Sequence, residues 1–404
     1  MKCVLVTIGD EILAGSTVDT NASWIGQELQ NIGLDLDYHV TIQDKPAVII
    51  DELKYLLSHY DLILTTGGLG PTPDDVTPAA FYTLFQSRVK LDEIYWSELQ
   101  SRYNTQKRRI SNLNKSQAMK PHNGSMIPNP VGSARGLLYR RDNTITIALP
   151  GVPSEMKAMM TETVIPLLRE KAPPSLFRKT LRITGVPESV LAESIMPVME
   201  AHPHCRFAFY PQLINVDIRF SCRDASELER VAADIRQIIG PACYAEGKLS
   251  LEDVVGNLLT AHGKSFATAE SCTGGLLGNR ITDCPGSSAY YMGGVVSYSN
   301  EAKQNFLGVR ESTLIRHGAV SKETAREIAE GVRQRFHTDL GLSITGIAGP
   351  AGGTEEKPVG TVFIALADEQ KTSVHHCHFK RNRKDNKLLS SQYALNLVRI
   401  YFNE

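Results

Sequence analysis

At 404 residues, with 42% apolar and 22% charged side chains, the chain is too long for one ordinary core and too apolar for disorder; at roughly 100–200 residues per domain it has room for two to four. Its 43 basic and 44 acidic residues leave a formal charge of −1, which excludes an overall field drawing in nucleic acid or an anionic membrane and makes any anion site local. Seven cysteines (Cys3, Cys205, Cys222, Cys243, Cys272, Cys284 and Cys377) form no CxxC pair and read as reduced thiols of a cytosolic protein.

The first residues, MKCVLVTIGDEIL, lack the apolar core and cleavage site of a signal peptide, and no run approaches the length of a membrane span. The expected location is the cytoplasm. Apolar runs at 3–8, 36–42 and 62–66, separated by helix-like stretches, predict a parallel α/β arrangement. The third run ends in Gly67-Gly68-Leu69-Gly70-Pro71, where backbone N–H groups can turn towards an anion beyond the strand ends. A loop-rich stretch at 118–133 follows, then a strand at 144–149 and a break at Pro150-Gly151-Val152-Pro153 before a helix near Ser154. The block is expected to close near Lys171, with Pro173-Pro174 as a linker.

After the linker come a run at 178–184, a helix from about 188 to 200, alternating runs at 206–210 and 215–220, and a helix around 226–239. That order predicts a small α+β module. A third block opens with a helix near Leu251 and a strand at 265–269, which delivers Glu270-Ser271-Cys272-Thr273-Gly274-Gly275 to its end. No internal repeat or low-complexity tract is present.

Three clusters carry chemistry. In the first block Gly9-Asp10-Glu11, Asp19-Thr20-Asn21 and Gly67 to Asp75 place carboxylates beside glycine-rich turns, as a magnesium-type site facing a phosphate cradle would. The plainer alternative is that Asn21 and Asp75 cap helices and the glycines only turn the chain. In the third block a hydroxyl at Ser271 stands before a helix start, where unpaired N–H groups can stabilise an oxyanion, or it merely caps that helix. Cys272 is intrinsically the better nucleophile, and spacing alone does not choose between the two. The third cluster, His375-His376-Cys377-His378, looks like a metal tract but falls in a probable strand, where neighbours face opposite ways.

The segments GDEILAG, DTN, TTGGLGPTPDD and LPGVPSEM resemble the signature segments of the molybdopterin-binding-like domain at the front of CinA proteins. TAESCTGG, GGVVSYSNEAK, ITGIAGPAGG and KPVGTVFIAL resemble the CinA/PncC amidohydrolase pattern over about 251–403. The region between resembles the KH-like module of full-length CinA proteins. It lacks the GXXG loop that clamps nucleic acid, since Gly185-Val186-Pro187-Glu188 carries an acid at the last position, so a spacer or dimer-contact role is expected and no nucleic-acid partner. The resemblance implies three α/β or α+β domains: a molybdopterin-binding-like domain over 1–171, a KH-like α+β module over 175–247 and an α/β amidohydrolase domain over 251–404.

It also implies two activities and a homodimer. The front domain would hydrolyse ADP-ribose with a divalent metal of the Mg/Mn/Co type, using Asn21, Gly67, Gly68, Gly70, Asp74 and Asp75 around the pyrophosphate and Asp10 and Glu11 at the metal. The C-terminal domain would deamidate nicotinamide mononucleotide without a metal, with Ser271 as nucleophile and Lys303 as its base. Tyr298 and Thr345 would relay a proton or hold the serine, and Thr273, Gly274, Gly349, Gly352 and Arg383 would contact substrate. Lys303 has to be desolvated, or close to another cation, to be neutral, whereas most helix lysines are exposed. Relatives carry a GDR…R-like segment where this chain has Phe379-Lys380-Arg381-Asn382-Arg383 and then Lys387: the arginine is kept and the aspartate is absent. Two non-catalytic readings stand beside these, a pterin- or nucleotide-binding module without turnover and a competence-linked scaffold.

Overall fold

The computed structural model describes residues 1–170 and 176–403. The expected Pro173-Pro174 linker and the expected boundary at Lys171 lie outside the described residues. The chain divides into two compact units, Met1–Leu176 and Phe177–Glu404.

In the first unit β1 (Cys3–Ile8), β2 (Leu36–Ile42), β3 (Leu62–Thr66), β6 (Ser125–Ile127), β7 (Gly136–Arg141) and β8 (Thr144–Leu149) form one sheet in the order β2-β1-β3-β8-β7-β6. A two-stranded ribbon, β4 (Val89–Leu91) and β5 (Met119–Pro121), stands apart. Strands β1, β3 and β8 are buried at every position, the pattern of parallel strands covered on both faces. Helices α1 (Thr20–Asn31), α2 (Pro46–Leu57), α3 (Thr77–Leu84), α4 (Glu93–Thr105) and α5 (Pro153–Met159) belong to the same unit.

The sheet is mixed, which corrects the parallel expectation. Only Asp142 and Asn143 separate β7 from β8, with Asp142 at φ +52°. So short a turn forces antiparallel pairing, because a parallel return needs a crossover of a dozen residues or so.

The second unit begins with an antiparallel sheet of β9 (Phe177–Ile183), β10 (Arg206–Pro211), β11 (Val216–Cys222) and β12 (Cys243–Glu246) in the order β10-β11-β9-β12. Helices α6 (Glu188–Ala201) and α7 (Ala225–Ile239) cover it and bury Leu191, Ile195, Val231 and Ile235 against Leu181, Ile218 and Phe220. This is the α+β module expected from sequence.

Two of its cysteines are not free thiols. Cys205 and Cys222 flank the paired residues Arg206 and Ser221, lie 4.5 Å apart at Cα and form a disulfide. The seven-thiol expectation therefore holds for five cysteines only; counting cysteines could not reveal that a strand register sets two of them opposite each other.

The rest of this unit is a sheet of β13 (Phe266–Glu270), β14 (Tyr291–Val296), β15 (Leu340–Gly346), β16 (Thr361–Ala367) and β17 (Thr372–His378), ordered β14-β13-β15-β16-β17. The first three run parallel, β16 pairs antiparallel with β15, and β17 antiparallel with β16. Helices α8 (Leu251–Ala261), α9 (Leu276–Thr282), α10 (Asn300–Leu307), α11 (Lys322–Phe336) and α12 (Arg383–Tyr401) complete it. Helix α12 also ties the module to this sheet: Gln392 donates to the Thr184 hydroxyl at 3.3 Å and Arg399 to the Pro241 carbonyl at 2.7 Å. Among the described residues no helix is long and apolar enough to cross a membrane.

Candidate functional site

Strand β13 lies between β14 and β15, and its C-terminal end carries Ser271 to the sheet edge where ligands of parallel sheets bind. The Ser271 amide donates to the Ile344 carbonyl at 2.9 Å, which fixes the start of the turn. Gly274 and Gly275 follow at φ +64° and +93°, a backbone that costs a side-chain-bearing residue energy.

Helix α10, capped by Ser299, turns Lys303 back into the sheet. Its side chain is 1% exposed, and Nζ lies 3.2 Å from Ser271 Oγ, 2.7 Å from the Ser297 carbonyl oxygen and 3.3 Å from that of Tyr298. Among the described residues no carboxylate pairs with it, and burial lowers its pKa. The structure thus rejects the exposed-lysine alternative and brings the expected pair together. Cys272 is also buried, and desolvation pushes its thiol up to about 12. It stays a protonated thiol rather than the thiolate that would make it the nucleophile.

The Glu270 carboxylate, itself buried, accepts the amides of Gly275, Leu277 and Gly278 at 2.8–3.0 Å. These are the α9 N–H groups expected to be open for an oxyanion, so that expectation narrows to the turn. There the amides of Thr273 and Gly274 find no acceptor among the described residues. Sequence reasoning passed over Glu270, although a strand-terminal acid a few residues before a helix start is the signal of such a cap.

Other expected positions move. The Thr345 hydroxyl donates to the Ala319 carbonyl at 2.7 Å. Tyr298 is 62% exposed, and its hydroxyl accepts from Arg383 at 3.1 Å instead of meeting Ser271. Arg383 also donates to the Gly349 carbonyl at 2.8 Å. Gly349 and Gly352, at φ +91° and +92°, shape that turn. The missing aspartate of the GDR-like segment is explained locally: Asn382 takes its place as N-cap of α12, accepting from the Asp385 amide at 3.0 Å. Lys387, one helical turn beyond Arg383, brings its ammonium within 3.8 Å of where a side chain on Gly274 would begin. The histidine tract splits as its strand requires, with His376 stacked on Phe363 and His375 beside Tyr393.

In the first unit a cavity of about 450 Å³ opens at the ends of β1, β3 and β8. Glu11, Asn21, Gly67, Gly68, Gly70, Asp74 and Asp75 line it, together with Asp19 and Asp44. Asn21 is a bridge, not a cap: its amide donates to the Gly151 carbonyl at 2.8 Å and to Thr66 at 3.2 Å, and Asp19 caps α1. Asp75 accepts from the amide and hydroxyl of Thr72, which holds the glycine turn closed. Gly67, at φ +118°, packs on the Ile8 carbonyl, where a side chain would collide.

Asp10 is the exception. It lies outside the cavity lining, and its amide donates to Asp44 at 3.4 Å. Asp44 replaces it: burial and the neighbouring Glu11, Asp10 and Asp75 raise its pKa, and one carboxylate oxygen is buried without a partner. Asn21 Oδ1 is likewise buried and unpaired. The signal for Asp44 was its position two residues beyond β2, at the same sheet edge as Gly9 and Gly67. No three carboxylates here bring ligand atoms within 4.8 Å of one another, so a hard cation would be held by one or two of them plus water and phosphate, as magnesium usually is.

The family model described as "CinA C-terminal domain" matches residues 248–402, "Probable molybdopterin binding domain" matches 4–170, and "Damage-inducible protein CinA KH domain" matches 178–245. A protein of Halothermothrix orenii named "Putative competence-damage inducible protein" is 40% identical over 98% of this chain and 97% of its own. One of the same name from Clostridium botulinum is 38% identical over 99% of both. Among solved structures, the competence/damage inducible protein CihA from Agrobacterium tumefaciens aligns at 38% identity over 38% of this chain and 94% of that one, with a TM-score of 0.37.

Proposed function

The chain belongs to the CinA family, and from that premise we propose that its C-terminal domain deamidates nicotinamide mononucleotide while its N-terminal domain hydrolyses ADP-ribose with a divalent metal. The observation that carries the first half is a buried lysine with no carboxylate partner, 3.2 Å from a strand-end serine. A neutral amine has two N–H groups and one lone pair. The carbonyls of Ser297 and Tyr298 take the two N–H groups, which leaves the lone pair for the proton of Ser271.

In this reading Ser271 Oγ attacks the carboxamide carbon as its proton passes to Lys303 Nζ. The amides of Thr273 and Gly274 receive the oxyanion. Collapse breaks the C–N bond, and the proton held by Lys303 leaves with ammonia. Water, deprotonated by the same amine, then cleaves the serine ester to nicotinate mononucleotide. Arg383 and Lys387 offer the cationic side that the substrate phosphate needs.

For the N-terminal half, the fit lies in the donor set: hard oxygens from Glu11, Asp44, Asp74 and Asp75 around a glycine turn, one of them buried and unpaired. A divalent ion bound there would screen the pyrophosphate charge. The chain's own part is to turn the Gly67–Gly70 backbone towards the phosphates and to keep Asn21 fixed between β3 and the Gly151 turn.

The test of the amidase is ammonia release from nicotinamide mononucleotide by the wild type, Ser271→Ala and Cys272→Ala, all with a chelator present. Release by the wild type and Cys272→Ala alone is expected. No release from the wild type would sink the reading and leave a binding module or scaffold in its place.

A further inference from the structure

Among the described residues, one set of three metal-ligating side chains lies outside both sites: Cys205 Sγ, Cys222 Sγ and a carboxylate oxygen of Glu227 are all within 4.8 Å of one another. They meet at one corner of the small module. Cys205 stands directly before β10, Cys222 ends β11, and Glu227 lies in the first turn of α7. Both cysteines are buried, whereas the Glu227 side chain is 21% exposed, so the group opens to solvent on its carboxylate side.

Capping does not explain Glu227. Asp224 is the N-cap of α7 and accepts the amides of Ser226 and Glu227. The Glu227 carboxylate instead meets His202, the residue after α6, whose Nδ1 lies 3.1 Å from Oε1 while its Nε2 lies 3.9 Å from Asp234. A disulfide has no N–H or O–H to give a carboxylate beside it, so the bonded sulfurs and the Glu227 oxygen lie together as three acceptors. Acceptors gathered in this way are what a cation requires.

We propose that, once a thiol reductant opens this disulfide, Cys205, Cys222 and Glu227 bind a zinc ion, with water in the fourth position and His202 holding the carboxylate in place. Two thiols RSH transfer their hydrogens to the S–S bond, which leaves RSSR and two cysteine thiols. Zinc then takes both sulfurs as thiolates, and their two protons pass to solvent. Two thiolates and one carboxylate suit zinc, since magnesium and calcium take oxygen ligands only. Zn–S bonds of about 2.3 Å at a tetrahedral angle set the sulfurs roughly 3.8 Å apart. With the Cα atoms 4.5 Å apart, side-chain rotation reaches that separation without moving the strands. His202 acts as a positioning residue, in the way that an outer hydrogen-bond partner orients a ligating carboxylate.

The experiment titrates cobalt(II), a coloured stand-in for zinc, into the full chain reduced with dithiothreitol and then freed of it under nitrogen. The reduced wild type should develop sulfur-to-cobalt charge-transfer absorption that zinc bleaches, and the oxidised chain should develop none. Cys222→Ser should lose most of that absorption. Glu227→Gln, which keeps both sulfurs, should retain it and bind cobalt at least about tenfold more weakly; His202→Ala should retain it and weaken binding by about tenfold. Circular dichroism confirms each fold, and Glu227→Gln carries the test if Cys222→Ser does not fold. The inference is overturned if the reduced, folded wild type shows no charge-transfer absorption. Undiminished absorption in folded Cys222→Ser, or an unaltered affinity in Glu227→Gln, overturns it as well.

Discussion

Two strand ends in this protein are built alike and open onto opposite surroundings. At the end of β3, Gly67 and Gly68 turn the chain beside an open, acid-lined cavity; at the end of β13, Gly274 and Gly275 turn it beside a buried serine and lysine. The difference lies in what closes the turn. At β13 the Glu270 carboxylate takes three amides at the start of α9, and a desolvated amine faces the serine. At β3 the acid that closes the turn is Asp75, which accepts from the amide and hydroxyl of Thr72, and Asp44 keeps one buried oxygen without a partner among the described residues. One topology thus carries a buried serine–lysine pair at one strand end and an acid-lined cavity at the other.

The sharpest way to break this contrast is to remove the amine. Lys303→Met should cut kcat for deamidation by about a thousandfold or more, the loss expected of a general base that activates a serine, and leave ADP-ribose turnover alone. Retained deamidation in a folded variant would end the Ser–Lys reading. The wild-type pH profile carries the sign. Because burial lowers Lys303, its amine loses its proton below the ordinary lysine range, and kcat/KM should rise with pH through that lowered value. Folding stability follows the same sense: between the lowered value and about 10.5 the unfolded chain holds a proton the folded chain lacks, so this group makes the fold more stable as pH rises across that window.

A smaller effect is expected from the cap. Glu270→Gln keeps the shape but offers one acceptor oxygen to three N–H groups, so the Thr273–Gly274 turn should loosen and kcat fall by about a hundredfold, the scale of a misplaced oxyanion donor. An unchanged kcat would show that the turn is held by its own glycines. On the other side of the comparison, Asp44→Asn should weaken magnesium-dependent ADP-ribose hydrolysis by roughly tenfold without touching ammonia release. Since burial and then its acidic neighbours raise Asp44, the wild-type metal requirement should also steepen at a higher pH than an ordinary carboxylate would give.

What the sequence made legible follows from distance along the chain. Strand-end motifs, the Ser271 turn and the helix bringing Lys303 back are local patterns, each readable within a dozen residues or so. Asp44 and the Cys205–Cys222 bond depend on which strands lie side by side, and only Asp44 left a trace, as an acid two residues beyond a strand. The mixed first sheet was readable from the two-residue turn at Asp142 and was missed because β7 lies just beyond a stretch read as loop. Thr345 and Tyr298 show the limit of motif reading: their places in family motifs suggested contact with the serine, whereas their hydroxyls bond the Ala319 carbonyl and Arg383.

Tyr298 gives the finest test of that lesson. Its hydroxyl accepts one of the two hydrogen bonds that hold Arg383, and the other goes to the Gly349 carbonyl, which no side-chain change removes. Being largely exposed, the tyrosine contributes a weak solvent-competed bond rather than a proton path. Tyr298→Phe should therefore leave kcat within about twofold and raise KM for nicotinamide mononucleotide by about threefold, the effect of loosening one hydrogen bond of a cationic substrate contact. A fall in kcat of about a hundredfold with KM unchanged would instead restore the tyrosine to the proton transfer. It would also show that this exposed edge closes over the serine when substrate binds.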